Sequence, residues 1–206
     1  MIRYRKMERK RTHLIKITTT AAMIALTCVL TMVVRIPTPT KGYLNLGDVA
    51  VLLSGWLLGP LYGAIAGGVG SALADLLSGY PVYIPATLVI KATMAFLVSL
   101  VPLRAAKREK SRPRLGFMIF APAAELVMVA GYYLYEAAVV GEGFAAAFAG
   151  VPGNIAQGLV GAAGAYLLIE LLGRTEFFKF YGIYGFGGKR NENDLRTGEN
   201  CGRGTP

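Results

Sequence analysis

Apolar residues in this chain come in long runs rather than in the alternating or three-to-four spacing of a water-soluble fold, and short polar stretches cut them apart. Six runs have the length or flanking signals of membrane-crossing helices: about 17–36, 44–58, 60–77, 84–103, 115–139 and 151–172. Most approach the roughly 20 residues a bilayer requires. The second, about 15 residues, falls short of that length, so a re-entrant hairpin stands beside a crossing as its reading. Turn formers punctuate the runs. Pro37 and Pro39 bar a helix across 37–43, Gly59-Pro60 makes a tight turn, and Ser78-Gly-Tyr-Pro-Val-Tyr and Gly141–Gly150 read as loops. Within the third run, Gly59, Gly63, Gly67, Ser71 and Asp75 recur every fourth residue. At about 100° per residue they form one smooth stripe winding along a helix. Small residues let helices approach closely in lipid, so this stripe predicts the central packing seam.

Composition supports a membrane protein: 54% hydrophobic residues, 26 glycines and a mean hydropathy of +0.47. The net charge of +10 would suit a nucleic-acid partner if spread over one surface, but it is not. Seven of the 22 Lys and Arg lie at Arg3–Lys16, six at Arg104–Arg114 and six at Arg174–Arg203, separated by apolar runs. The positive-inside rule puts all three clusters in the cytoplasm, which requires an even number of crossings between them. The expected architecture is therefore an all-α six-transmembrane-helix bundle with cytoplasmic N and C termini. Residues 1–16 form a basic arm able to touch anionic lipid, 17–172 the transmembrane domain, and 173–206 an interfacial and then disordered tail. The first run lacks a small-x-small cleavage pattern and is read as a retained span.

Ionisable side chains inside apolar spans are costly, and each is a candidate for function. Asp48, Asp75, Lys91, Glu125 and Glu136 qualify, and all but Glu125 gather toward the outer side. Asn154 and Gln157 add neutral hydrogen-bonding heads at the outer start of the sixth helix. Tyr132 and Glu136, four apart, place an aromatic plate beside an acid, an arrangement suited to a flat nitrogen-containing ring. The candidate substrate-binding set is Asp75, Lys91, Tyr132, Glu136, Asn154 and Gln157. Blander readings stand beside it: interfacial acids that are simply hydrated, Lys91 neutralising Asp75 or Glu136, amides that only join helices. Glu125, near mid-membrane, is a packing acid, a partner for a tyrosine hydroxyl or part of a relay. No metal or cofactor site is expected, since His13 is the one histidine and Cys28 and Cys201 have no ligand spacing. No P-loop or nucleophile-base pattern is present, so the chain reads as a binder rather than an enzyme.

Six collinear segments carry a family resemblance: Leu46-Gly-Asp, Gly59-Pro-Leu-Tyr-Gly, Gly70-Ser-Ala-Leu-Ala-Asp-Leu-Leu-Ser-Gly, Pro85-Ala-Thr-Leu-Val-Ile-Lys, Gly131-Tyr-Tyr-Leu-Tyr-Glu and Pro152-Gly-Asn-Ile-Ala-Gln-Gly. Across about residues 17–172 the chain resembles the substrate-binding S components of energy-coupling factor (ECF) vitamin transporters, in the branch for hydroxymethylpyrimidine, pyridoxine or riboflavin. The resemblance implies a vitamin-capture subunit of the prokaryotic plasma membrane that works with a transmembrane T component and two ATPase subunits. It also implies a lid between the first two helices, here Tyr43, Asn45 and Asp48, and a docking motif for the T component, here Ala21 and Ala25. A self-sufficient proton-coupled transporter of a small heterocycle is the rival expectation.

Overall fold

The computed structural model describes residues 2–37, 43–107 and 113–173, and they are almost entirely helical. Helix α1 (Ile2–Val33) is followed by a two-residue strand β1 (Ile36–Pro37), paired antiparallel with β2 (Tyr43–Leu44) in the register Ile36 to Leu44 and Pro37 to Tyr43. Then come α2 (Gly47–Ser78), a 3-10 turn (Pro81–Tyr83), α3 (Ile84–Lys107) and α4 (Pro113–Tyr135). A single π-turn (Glu136–Val140), short α5 (Phe144–Ala147), another 3-10 turn (Phe148–Gly150) and α6 (Val151–Gly173) complete the described chain. Five helical stretches are long and apolar enough to cross a membrane: His13–Val33, Gly47–Ser78, Pro81–Pro102, Leu115–Val140 and Phe144–Gly173. This is an all-α membrane protein.

The α2 stretch is not one rod. Gly59 has φ 79° and ψ −171°, outside helical geometry and in the left-handed half of the map that favours glycine, and Pro60 follows at the start of the next turn. The chain folds back there. A Cβ placed on Gly63 would lie 2.7 Å from Gly55 Cα, and one on Gly67 would lie 3.1 Å from Val51 Cγ1. Residues 47–58 (α2a) and 60–78 (α2b) are thus an antiparallel pair in backbone contact. At 1.5 Å per residue α2a is about 18 Å long and α2b about 28 Å. The first half therefore stops about 10 Å short of its partner's far end, and Asp48, at its second residue, starts inside the bundle rather than at its rim.

Helix α2b sits at the centre, as its glycine seam predicts. Gly70 presses on Ile24 O and Thr27 of α1, Gly68 on Leu88 O of α3, and Gly67 also on Lys91 O. Gly55 of α2a is tighter still, since its Cβ would fall 2.1 Å from Ala95 O. Helix α2 packs chiefly on α3 and α1, α3 on α4, and α6 lies against both α2 and α4. Trp56, Phe117 and Tyr166 close the end near Gly59, with ring centroids 5.5 Å apart for Trp56–Phe117 and 6.2 Å for Phe117–Tyr166. Met94, Val98 and Ile169 fill the core around them.

Boundaries differ from the sequence expectation at the other end. Helix α1 stops at Val33, three residues early, because Ile36–Pro37 are drawn into the small ladder. The fifth helix does not run unbroken to Val139. It gives way after Tyr135 to the π-turn, and Gly141 (φ 84°) and Gly143 (φ 80°) then redirect the chain into α5. The tail beyond Gly173 and most of the expected Arg104–Arg114 loop lie outside the described residues or side chains.

Candidate functional site

Above the short α2a, side chains from four helices form a buried polar network. Lys91 of α3 donates from Nζ to Asp48 Oδ1, and the pair is 2% and 0% exposed. The second carboxylate oxygen, Oδ2, accepts from Gln157 Nε2 of α6 at 2.6 Å. The Gln157 Oε1 atom accepts the backbone N–H of Asn45 at 2.8 Å, and Asn45 Oδ1 in turn accepts the N–H of Gly47, also at 2.8 Å. One amide therefore ties the segment entering α2 to the buried ion pair. Charges removed from water need such full pairing, because each bare ion would otherwise cost several kcal/mol.

The network continues along α3 and α4. The Lys91 ammonium lies 5.4 Å from the centroid of the Tyr132 ring, within cation–π range. The Tyr132 hydroxyl shares a 3.0 Å hydrogen bond with Thr87 Oγ1. Tyr83 stands next, its ring centroid 6.4 Å from that of Tyr132 and 6.1 Å from that of Tyr135, and its hydroxyl donates to Glu136 Oε1 at 3.3 Å. The Tyr135 hydroxyl reaches back to Val82 O. These contacts join α4 and the π-turn to the start of α3. The extra residue of the π-turn departs from the helix just where Glu136 must turn inward, a common position for such turns at functional sites.

Of the six expected substrate-binding residues, Lys91, Tyr132, Glu136 and Gln157 thus belong to one connected set, with Asp48, Thr87 and Tyr83 as the links. Asp75 and Asn154 are also buried, at 4% and 9% exposure, near the ends of α2 and the start of α6. Lys91 is paired with Asp48, an acid from the other half of α2 than Asp75. The reason is depth: the truncated α2a lowers Asp48 to the level of Lys91. Of the three residues expected at the lid, Asp48 is fully buried, Asn45 is part of the network, and Tyr43 contributes its backbone to β2. Tyr83 and Thr87 are additions to the expected set, and the sequence carries a signal for them. They precede Lys91 at four-residue intervals, and so share its face. Ala21 and Ala25 both lie on the exposed side of α1. Glu125 is buried against Gly158 and Gly161 of α6. No group of metal-binding side chains occurs among the described residues.

A helical membrane protein with a polar, aromatic-lined interior opposite a closed apolar end has the makings of a solute-binding subunit. The chain belongs to the family of ECF-type riboflavin transporter S components, whose family model matches residues 11–174. It is 32% identical over 162 residues to the thiamine precursor transporter HmpT of Lactococcus lactis subsp. cremoris (strain MG1363), covering 78% of this chain and 89% of that one. It is also 56% identical over 71 residues to an uncharacterized protein of Pyrococcus woesei, a match covering 34% of this chain and just under half, 47%, of that one. Membership makes the chain a transport component, and the six segments that carried the resemblance all fall inside the matched region.

Proposed function

We propose that this chain captures a small, flat vitamin or vitamin precursor, of the riboflavin, hydroxymethylpyrimidine or pyridoxine class, for an ECF-type importer in a prokaryotic plasma membrane. The observation that carries this reading is the ammonium of Lys91 held over Tyr132 beside Asp48, at the start of the short α2a. A planar heterocycle would lie along Tyr132 and Tyr83. Its ring acceptors would meet the free donor positions of Lys91, and its N–H or amine groups Asp48 or Glu136. Asp75, Asn154 and Gln157 would complete the lining, with Tyr43 to Asp48 as the covering segment. The family description favours riboflavin, and the likeness to a thiamine precursor transporter favours a pyrimidine.

In the membrane we read α1, α2a, α2b, α3, α4 and α6 as six crossings, with the polar end facing outward and both termini cytoplasmic. The fold-back at Gly59 and the three basic clusters support that topology. Release inward would need a transmembrane T component and two ATPases, engaged through Ala21 and Ala25 on the exposed face of α1. Titrating purified protein with riboflavin, followed by quenching of flavin fluorescence, and with hydroxymethylpyrimidine, followed by calorimetry, tests the capture reading. Saturable one-to-one binding of either is expected. Binding of neither, with pyridoxine also inert, would sink it. Uptake into vesicles containing this chain alone, abolished by collapse of the proton gradient, would instead favour the self-sufficient transporter.

A further inference from the structure

Glu125 is the buried acid that the capture reading leaves unused. It is 6% exposed, and among the described residues neither carboxyl oxygen has a hydrogen-bond partner. Both oxygens are shut off from bulk solvent. On the α6 side the carboxyl lies against bare backbone: a Cβ on Gly158 would be 3.2 Å from Oε2, and one on Gly161 would be 2.9 Å from Oε1. The same Gly161 position would meet Asp48 Cβ at 2.7 Å. Asp48 and Glu125 therefore flank one glycine, and the sole buried amine described, Lys91, is committed to Asp48.

The charged groups facing this place are few. Helix α2 presents Asp48 and α3 presents Lys91, while α6 has no ionisable residue between Asn154 and Tyr166. Two carboxyls thus share one ammonium in a region closed to water. A second bare carboxylate there would go uncompensated at a cost of several kcal/mol, and the one partner small enough to reach its enclosed oxygens is a proton.

We propose that Glu125 is the reserve counter-ion of Lys91, so that Asp48 and Glu125 together hold one proton and one ammonium. While Asp48 carries the ammonium, Glu125 is the carboxylic acid. When Asp48 takes up a proton, Glu125 loses one and receives the ammonium, so the trio always contains one acid, one carboxylate and one Lys91 cation. No charge enters or leaves. Such an exchange would let Asp48 turn to another partner without stranding Lys91. The inference requires no solute, so it stands or falls apart from the capture reading.

Infrared spectroscopy of the full chain in lipid nanodiscs at neutral pH, with glutamate labelled with carbon-13 at its carboxyl, tests this directly. A labelled acid carbonyl band is expected in the wild type, lost in Glu125→Gln and kept in Glu136→Gln. In Asp48→Asn, where the neighbour can no longer hold the charge, that band should convert to a labelled carboxylate band as Lys91 crosses to Glu125. With Lys91→Met added, the acid band should return. Wild-type and Glu125→Gln spectra without a difference in the acid region overturn the proposal even if Asp48→Asn fails to fold. An Asp48→Asn protein whose acid band is unchanged overturns it equally.

Discussion

The two ends of the bundle solve the burial problem in opposite ways. Near Gly59, Trp56, Phe117, Tyr166, Met94, Val98 and Ile169 fill the space with apolar bulk, and glycines bring backbones into contact. At the other end the same helices bury Asp48, Lys91, Gln157, Glu136 and Tyr83, and regular helix gives way to a π-turn, two 3-10 turns and left-handed glycines. The apolar end has many interchangeable dispersion contacts and one way to pack. The polar end is held by a few directional bonds between side chains from different helices. The difference separates an end held by bulk from an end held by directional bonds, and the capture reading places the ligand at the second.

The sharpest way to break that contrast is Lys91→Ala. It leaves Asp48 buried without its cation, which typically costs about 3 to 5 kcal/mol, and solute binding should vanish with it. Thermal unfolding and flavin titration read the two losses separately, and a stable Lys91→Ala protein with unchanged affinity would show that the ion pair is dispensable to both. Gly55→Ala comes next and strikes the opposite end. Its new methyl would meet Ala95 O, and overpacking of this kind costs about 1 to 3 kcal/mol. The melting temperature should fall while affinity, measured well below it, stays within twofold. An affinity loss matching that of Lys91→Ala would erase the division between the ends. The smallest effect belongs to Gln157→Ala, which unties Asn45 from Asp48. Loss of about 1.4 kcal/mol would speed solute release about tenfold, with a fall in melting temperature smaller than that of Lys91→Ala, and stopped-flow displacement of bound flavin measures the release.

The apolar end was the more legible of the two in the sequence. Runs of apolar residues, the Gly59-Pro60 pair and the four-residue glycine stripe announce helices, a reversal and a close seam through local rules alone. The polar end depends on long-range register. Lys91 had Asp75 and Glu136 as plausible partners, and its pairing with Asp48 follows from where α2a begins, which β1 and β2 help to set. The π-turn at Glu136 leaves no mark in hydropathy, because Glu136-Ala-Ala-Val-Val suits an ordinary helix equally well. Tyr83 looked like a loop aromatic, since the 3-10 turn that continues its face into α3 has no strong signal beyond Pro81.

The shortness of α2a gives the protein a built-in depth gauge. A further turn between Asp48 and Gly59 would add about 5.4 Å and raise the acid away from the amine, parting the ion pair without altering either side chain. Lengthening or trimming this stub would move Asp48 along the bundle axis relative to Lys91 with the remaining helices left untouched.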